Sequence, residues 1–525
     1  MLNLDGLWEF ALTERGEESP VYDSFAAVPG SFDAVGLAFN RRVIGNYRKR
    51  VAFAGKMRLK IGSFGLHIRV FFDGKFSGES YFAWSPFETV LDGGEEEHEH
   101  VLELKVDNFI EGHPLFIDRY DFYGFGGIFD HVTLEEVREK EVESIRIHTL
   151  DHVTGEIALR VESKADFLCI SFDGGKAKKY PNTGEVLRLK VPSFRPWTPE
   201  TPFLHRITVN EKTVEFGVRT LDWKGSHLLL NGKRIKLKGV NRHESHPEFG
   251  AATPESLILS DLLRIKKAGF NFIRGSHYPQ REFFFRCCDR LGIMVWEEPL
   301  SWGNREEELS PRFLDALAQQ LALTIRTSYN HPSLVIHGFL NECASDTDGG
   351  VAAVKRMMEV CHREDPSRPA TFASNRVRND RCLPLVDILA MNVYPAWYGT
   401  EKLSGIKSAL DAYAEEFKSM GKPMVISEIG AAAMYGNHSE EPWTPWSEEF
   451  QAEYFCNTVS AVRENPLWDG FMLWLYCNAN TYTETVYKTA RPRGFNNKGL
   501  LDEYRRPKLA WREVKKLLAE SGKDC

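Results

Sequence analysis

From residue 221 onward, eight short apolar runs alternate with stretches of helical periodicity, and few folds accommodate that rhythm. The runs are Ile235–Gly239, Phe270–Arg274, Ile293–Trp296, Leu334–Leu340, Ala370–Ala373, Ile388–Asn392, Met424–Ser427 and Phe471–Leu475. Near-continuous apolar runs of this length read as strands covered on both faces, as in parallel sheets. Between them, Pro254–Ala268, Pro311–Thr327, Val351–His362, Ser404–Ser419 and Ser447–Arg463 read as helices. The first of these is expected to be capped by Thr253 and stopped by Gly269. Eight strands alternating with helices over about 300 residues predict a closed (β/α)8 barrel, a TIM barrel.

The first 220 residues have a different texture. Alternating segments such as Arg58–Ile61, His67–Phe72 and Val101–Val106 are separated by turns, and no long amphipathic helix is visible. Asp73-Gly74-Lys75 and Asp92-Gly93-Gly94 both carry hairpin chemistry. Evenly spaced short strands predict β-sandwiches. The charge-rich run Glu135–Glu143 marks a boundary, so the expected organisation is a sandwich over 1–138, a smaller immunoglobulin-like sandwich over 139–220, and the barrel over 221–525. A chain of 525 residues is too long for a single core, which agrees with that division.

Composition removes several function classes. A net charge of −8 disfavours a nucleic-acid surface, which rests on clustered Lys and Arg. No apolar run is long enough to span a membrane, and Met1–Trp8 lacks the basic and apolar regions of a secretion signal. The nine cysteines are scattered, with no C-x-x-C pair, and adjacent Cys287-Cys288 read as core fillers in a helix-like segment. That usage fits a reducing cytoplasm and neither a disulfide framework nor a zinc site.

In a (β/α)8 barrel, chemistry sits at the C-terminal mouth. Two apolar runs end there in a carboxylate: Leu334–Leu340 in Asn341-Glu342, and Pro423–Ile426 in Ser427-Glu428. Two carboxylates across one mouth are the equipment of glycoside hydrolysis, one acting as acid and the other as base or nucleophile. Further polar and aromatic residues follow the other strands: Asn241-Arg242-His243-Glu244, Arg274 to His277, Glu297-Glu298, Asn392, Tyr394 and Trp474. No His/carboxylate cluster has metal-ligand spacing, so His243, His277 and Glu244 read as sugar contacts or as supports for them, and neither metal nor organic cofactor is expected.

Taken together, Gly239–Glu244 (GVNRHE), Arg274–Pro279 (RGSHYP), the Asn-Glu after Pro332–Leu340 and the Ser427–Gly430 segment (SEIG) resemble glycoside hydrolase family 2. Leu4–Phe10 is similar to the opening of that family's sugar-binding, jelly-roll-like domain, and the likeness runs from about residue 4 to residue 515. The resemblance implies a retaining mechanism with Glu428 as nucleophile and Glu342 as acid/base. Within the family, Asn392–Tyr398, Trp446–Gln451, Asp121-Phe122 and Asn496-Asn497-Lys498-Gly499 resemble the β-glucuronidase branch. That likeness implies substrate contacts from Asp121, His243, His277, Asn341, Asn392, Tyr394, Trp397, Tyr398, Trp474, Arg493, Asn496 and Lys498. An Asn–Lys pair suits a C6 carboxylate, because charge-assisted hydrogen bonds are the strong ones. Arg491 and Arg493 both add positive charge nearby.

The chain departs from the pattern at Cys343, where Pro is more usual, at His337 in place of a common Trp, and at Gly124 in place of an Asn. The link between Trp302 and Pro311 is short, so no long loop is expected over the site. These differences bear on the aglycone. The expectation is a retaining exo-β-glucuronidase acting on small-molecule or oligosaccharide glycosides, as a cytoplasmic homo-oligomer. The alternatives are a β-galacturonidase or β-galactosidase of the same family, and, from another class, an inactive carbohydrate-binding protein.

Overall fold

The computed structural model describes residues 1–17, 19–34, 38–441, 444–482 and 490–520, so the last five residues of the expected barrel domain lie outside the described residues. The N-terminal part is a β-sandwich. A six-stranded antiparallel sheet, with Gly6–Thr13, Ile44–Phe53 and His98–Asp107 near its centre, faces a four-stranded sheet built on Val132–Glu136 and Lys56–Ile61. Alternate residues of both sheets, among them Trp8, Tyr47, Leu59, Leu102 and Leu134, share one core. A second sandwich follows: the sheet of Val142–Asp151, Glu156–Ser163 and Leu187–Lys190 packs on a four-stranded sheet around Phe167–Phe172 and His205–Val209. The Glu135–Glu143 run connects the two, since one strand ends at Glu136 and the next begins at Val142. No helix occurs among the described residues before Glu255.

The two hairpin signals part company. Asp73 and Gly74 both have positive φ (49° and 73°), and they join His67–Phe72 to its antiparallel partner Lys75–Ser80 in a tight turn. Asp92–Gly94 makes no hairpin. Phe87–Asp92 pairs with Lys56–Ile61, whereas His98–Asp107 pairs in the opposite sheet, so this turn carries the chain across the sandwich. Gly93 N donates to Gly55 O (2.8 Å) and Gly55 N to Gly94 O (2.7 Å), pairing the turn with a facing loop. Turn chemistry sets the local bend; which strands then pair is a matter of long-range burial.

The C-terminal part is a closed barrel of eight parallel strands in sequential order. They span Leu237–Arg242, Phe272–Gly275, Met294–Glu297, Leu334–Asn341, Ala370–Ser374, Leu389–Asn392, Met424–Ile429 and Trp468–Leu473. Each overlaps an expected run; the first begins two residues later than Ile235 and the last three residues earlier than Phe471. Helices α1 (Glu255–Lys267), α2 (Glu282–Leu291), α3 (Pro311–Ser328), α4 (Asp348–Glu364), α5 (Ile406–Phe417), α6 (Glu448–Glu464) and α7 (Leu509–Glu520) surround it. Cys287 and Cys288 are buried in α2. Ser310 and Ser447 cap α3 and α6, each accepting from the backbone N–H three residues on. Thr253 does not cap α1: its hydroxyl accepts from Arg281 instead, and Pro254 precedes the helix without a side-chain cap. Gly269 ends α1 at φ 94°, as expected of a stop. The second sandwich is fastened to the barrel by buried Arg219, which donates to Pro332 O (2.8 Å) and Leu334 O (2.6 Å) at the start of the fourth strand.

Candidate active site

At the C-terminal mouth the sheet becomes irregular where the polar residues lie. Pairing slips between Gly338 and Asn341 on the fourth strand, between Met391 and Asn392 on the sixth, and between Ile426 and Ile429 on the seventh. Such bulges re-aim side chains next to active sites. Leu340 and Glu342 both hold positive φ (52° and 53°), an uncommon state for residues with a Cβ and one that clusters at functional sites. Gly338 makes room nearby: a Cβ there would sit 1.8 Å from Trp296 Nε1 and 2.7 Å from Glu298 Cγ.

The two carboxylates end up in one hydrogen-bonded network. Arg274, fully buried, donates from Nη1 to Glu428 Oε1 (2.8 Å), from Nη2 to Asn341 Oδ1 (2.9 Å) and from Nε to Glu298 Oε1 (2.7 Å). Its guanidinium lies over the Trp296 ring, 4.8 Å from the centroid. Tyr394 OH donates to the other oxygen of Glu428 (2.8 Å). Asn392 Nδ2 donates to Glu342 Oε1 (2.8 Å) and to Asn341 Oδ1 (3.1 Å), while Ser427 Oγ donates to Asn392 Oδ1 (2.7 Å). Burial pushes Glu342 up to about 7, and the negative charge of Glu428 adds to it. Glu428 is also raised by burial, but Arg274 and the Tyr394 hydroxyl oppose the shift. The environments of the two groups thus differ in kind: one has cationic and phenolic donors, the other an amide donor and a like charge.

His277 Nδ1 is 2.9 Å from Glu298 Oε2, and its ring stacks on Trp474 at 5.3 Å. His243 meets Trp474 edge-on (5.4 Å) and Phe122 at 5.4 Å. Burial, reinforced by the nearby Arg274, holds both imidazoles well below their ordinary value. Glu244, in contrast, turns away to a structural pairing with Arg242 (2.6 Å) and Arg281 (3.1 Å).

A second group adjoins the first. Lys498 is buried with Nζ 5.8, 5.7 and 5.1 Å from the ring centroids of Tyr394, Trp397 and Tyr398, and it donates to Tyr398 OH (2.8 Å). Desolvation of its hydroxyl works to raise the Tyr398 phenol, although the side chain is largely exposed, yet the charges of Lys498 and Arg491 outweigh it and hold the group below its usual value. Asp121 arrives from the first sandwich on a loop whose Phe116, Tyr120 and Phe122 pack into the barrel's own core. Its carboxylate accepts from Arg491 Nε (2.7 Å) and from Asn496 Nδ2 (3.2 Å). Arg493 does not join them. It reaches Glu503 (2.7 Å), and Arg491 rather than Arg493 pairs with Asp121. Arg493 sits at φ 63°, and this left-handed residue sends successive side chains in different directions. Gly124 is also accounted for: its N–H is 2.8 Å from Tyr482 OH, and a Cβ there would meet that oxygen at 2.8 Å and Phe116 at 2.9 Å.

Two adjoining hollows frame this arrangement. One of about 230 Å³ is lined by Trp397, Tyr398, Trp446, Arg491 and Lys498. The other, about 510 Å³, opens from Glu342 past Asn375, Arg376, Arg378, Tyr394 and Tyr398. Sequence reasoning put Arg274 and Glu298 at the mouth and Arg491 near the Asn–Lys pair, but it did not assign their partners. For the first two a signal existed: a charge inside or directly after a buried apolar run must find a partner. Among the described residues, no group of three or more His, Cys, Asp or Glu could hold a metal ion, and no helix is long and apolar enough to cross a membrane.

Residues 221–521 match the TIM-barrel domain of the glycosyl hydrolases family 2. The chain belongs to glycoside hydrolase family 2 and is a glycosidase. Its overall likeness extends to a β-galacturonidase of Eisenbergiella tayi, whose structure with galacturonate bound aligns over 99% of this chain and 97% of that one, with 32% identity and a TM-score of 0.91. A β-glucuronidase of Streptococcus agalactiae is 26% identical over 98% of this chain and 95% of its own length. The rat β-glucuronidase is 29% identical over 74% of this chain, which spans 63% of that enzyme.

Proposed function

We propose that the protein is a retaining exo-β-glucuronidase in which Glu428 is the nucleophile and Glu342 the acid/base. The observation that carries the reading is the buried Lys498 ammonium, caged by three aromatic rings one residue pair from Asn496, on the same barrel mouth as the two glutamates. A sugar placed between them has its C6 carboxylate at Lys498 and its anomeric carbon at Glu428. Arg274 and Tyr394 keep electron density on Glu428 while orienting it, and Glu342, poised near neutrality, gives its proton to the departing oxygen. Forming the glycosyl ester removes the charge of Glu428. The Glu342 carboxyl then loses the like charge that raised it and becomes the base for the incoming water. The leaving group departs through the larger hollow beside Glu342.

A second reading, terminal β-galacturonides, is favoured by the 32% identity to the Eisenbergiella tayi β-galacturonidase. The two sugars differ only in the C4 hydroxyl and share the carboxylate. The test is hydrolysis of p-nitrophenyl β-glucuronide, β-galacturonide, β-galactoside and β-glucoside by one preparation. A preference for the glucuronide supports the reading, a preference for the galacturonide moves it to the second, and a preference for either neutral sugar overturns both.

A further inference from the structure

Lys508 is fully buried at the start of α7, and its ammonium makes three hydrogen bonds, all to oxygens that carry no formal charge. They are Ala433 O (2.8 Å), beyond the seventh strand; Asn478 Oδ1 (3.0 Å), beyond the eighth; and Asn497 O (2.9 Å), between Asn496 and Lys498. An ammonium has three donors, so none remains for a substrate. We propose that Lys508 is a positioning residue that sets the register of Asn496 and Lys498 against the barrel mouth, and so determines selectivity for an acidic sugar. The inference rests on the uronide reading above.

The geometry around it supports a scaffold with one task. Asn478 Oδ1 also accepts from Gly499 N (3.2 Å), and Asn478 Nδ2 donates to Glu503 Oε2 (3.0 Å), the carboxylate that Arg493 pairs with. Ala433 N donates to Asn497 O (3.1 Å), Leu475 N to Lys498 O (3.1 Å), and Gln451 Nε2 to Gly499 O (3.2 Å). Residues 497–499 are thus held by hydrogen bonds to Ala433, Gln451, Leu475, Asn478 and Lys508. A buried ammonium is an expensive way to fill space. Burial lowers Lys508 to about 7, with Glu448, Glu503 and Asp502 opposing the shift and Arg493 adding to it. Removing its three bonds leaves the Asn497 carbonyl only the Ala433 N–H as a partner, and a displacement of about 1 Å at a positioning group is enough to lower kcat/KM roughly 100-fold.

The experiment compares wild type, Lys508→Met and Arg493→Gln on an aryl β-uronide and on an aryl β-glucoside. Lys508→Met is expected to lower kcat/KM on the uronide about 10- to 100-fold, mainly through KM, with less than a threefold change on the glucoside. Arg493→Gln, half-exposed and one bond further out, is expected to lower the uronide value two- to fivefold alone. Should Lys508→Met not yield folded protein, Lys508→Gln, which retains two donors, is read in the same way. Equal losses on both substrates, or no loss on the uronide, overturn the proposal. Failure of the uronide reading itself is distinguishable, because wild type would then show no preference for the uronide.

Discussion

Replacing Lys498 by Ala separates recognition of the acidic sugar from everything else the barrel mouth does. The ammonium is buried against Tyr394, Trp397 and Tyr398, and one of its donors is taken by Tyr398 OH, leaving two for a carboxylate. A hydrogen bond to a charged partner contributes about 1.5–3 kcal/mol, and leaving that partner buried and unpaired adds to the loss. The expected deficit in transition-state stabilisation is about 2–4 kcal/mol, or roughly 30- to 900-fold in kcat/KM on a glucuronide. Stability should change little, because the substitution gives up cation–π contacts of about 0.5–2 kcal/mol but also relieves the desolvation of a buried charge. On a neutral glucoside there is no carboxylate to strand, so the same substitution should change kcat/KM by less than threefold. The readout is the ratio of the two effects, measured on one preparation with its Tm. An unchanged glucuronide-to-glucoside ratio would refute the assignment of Lys498 to the sugar carboxylate, whatever the absolute rates.

Other expectations follow from the same geometry. Because Glu342 must carry a proton and is held at about 7, kcat/KM should fall as pH rises through about 7. Between the ordinary carboxylate value and 7 the folded state binds more protons at this site than the unfolded chain, so ionising Glu342 destabilises the fold; Glu342→Gln should raise Tm at pH 8 but not at pH 4. Glu428→Gln should abolish turnover, while Glu342→Ala should regain activity with azide and a good leaving group; azide rescue of the first and not the second would reverse the roles. Arg274→Met strips Glu428 and Glu298 of their buried partner, which should cost about 3–5 kcal/mol of stability and move the acid limb of kcat/KM upward, since Glu428 is raised further. Activity should survive exhaustive dialysis against EDTA, and a loss restored by Mg²⁺ would overturn the metal-free reading.

Much of the barrel was legible because its strands are buried on both faces, so their hydrophobicity is continuous and their ends are marked by the first polar residue. That is why Asn341-Glu342 and Ser427-Glu428 could be placed at one mouth from the chain alone, and why the short, alternating strands before residue 221 could be separated from it. Which of two neighbouring arginines faces the site was not legible. Arg491 and Arg493 are separated by one residue, and the choice is made by φ 63° at Arg493 and by Asp121, which arrives from a different domain. The Asp92–Gly94 turn shows the same limit: local chemistry specifies a bend but not the sheet to which the chain returns. Arg274 bridges Glu428, Asn341 and Glu298, residues from 24 to 154 positions away, and Lys508 gathers carbonyls from three loops. Sequence determines which residues must be buried and which kinds of chemistry are present. Which buried polar groups satisfy one another depends on tertiary closure, because the free energy of a buried charge is set by partners that only the folded barrel brings within hydrogen-bond reach.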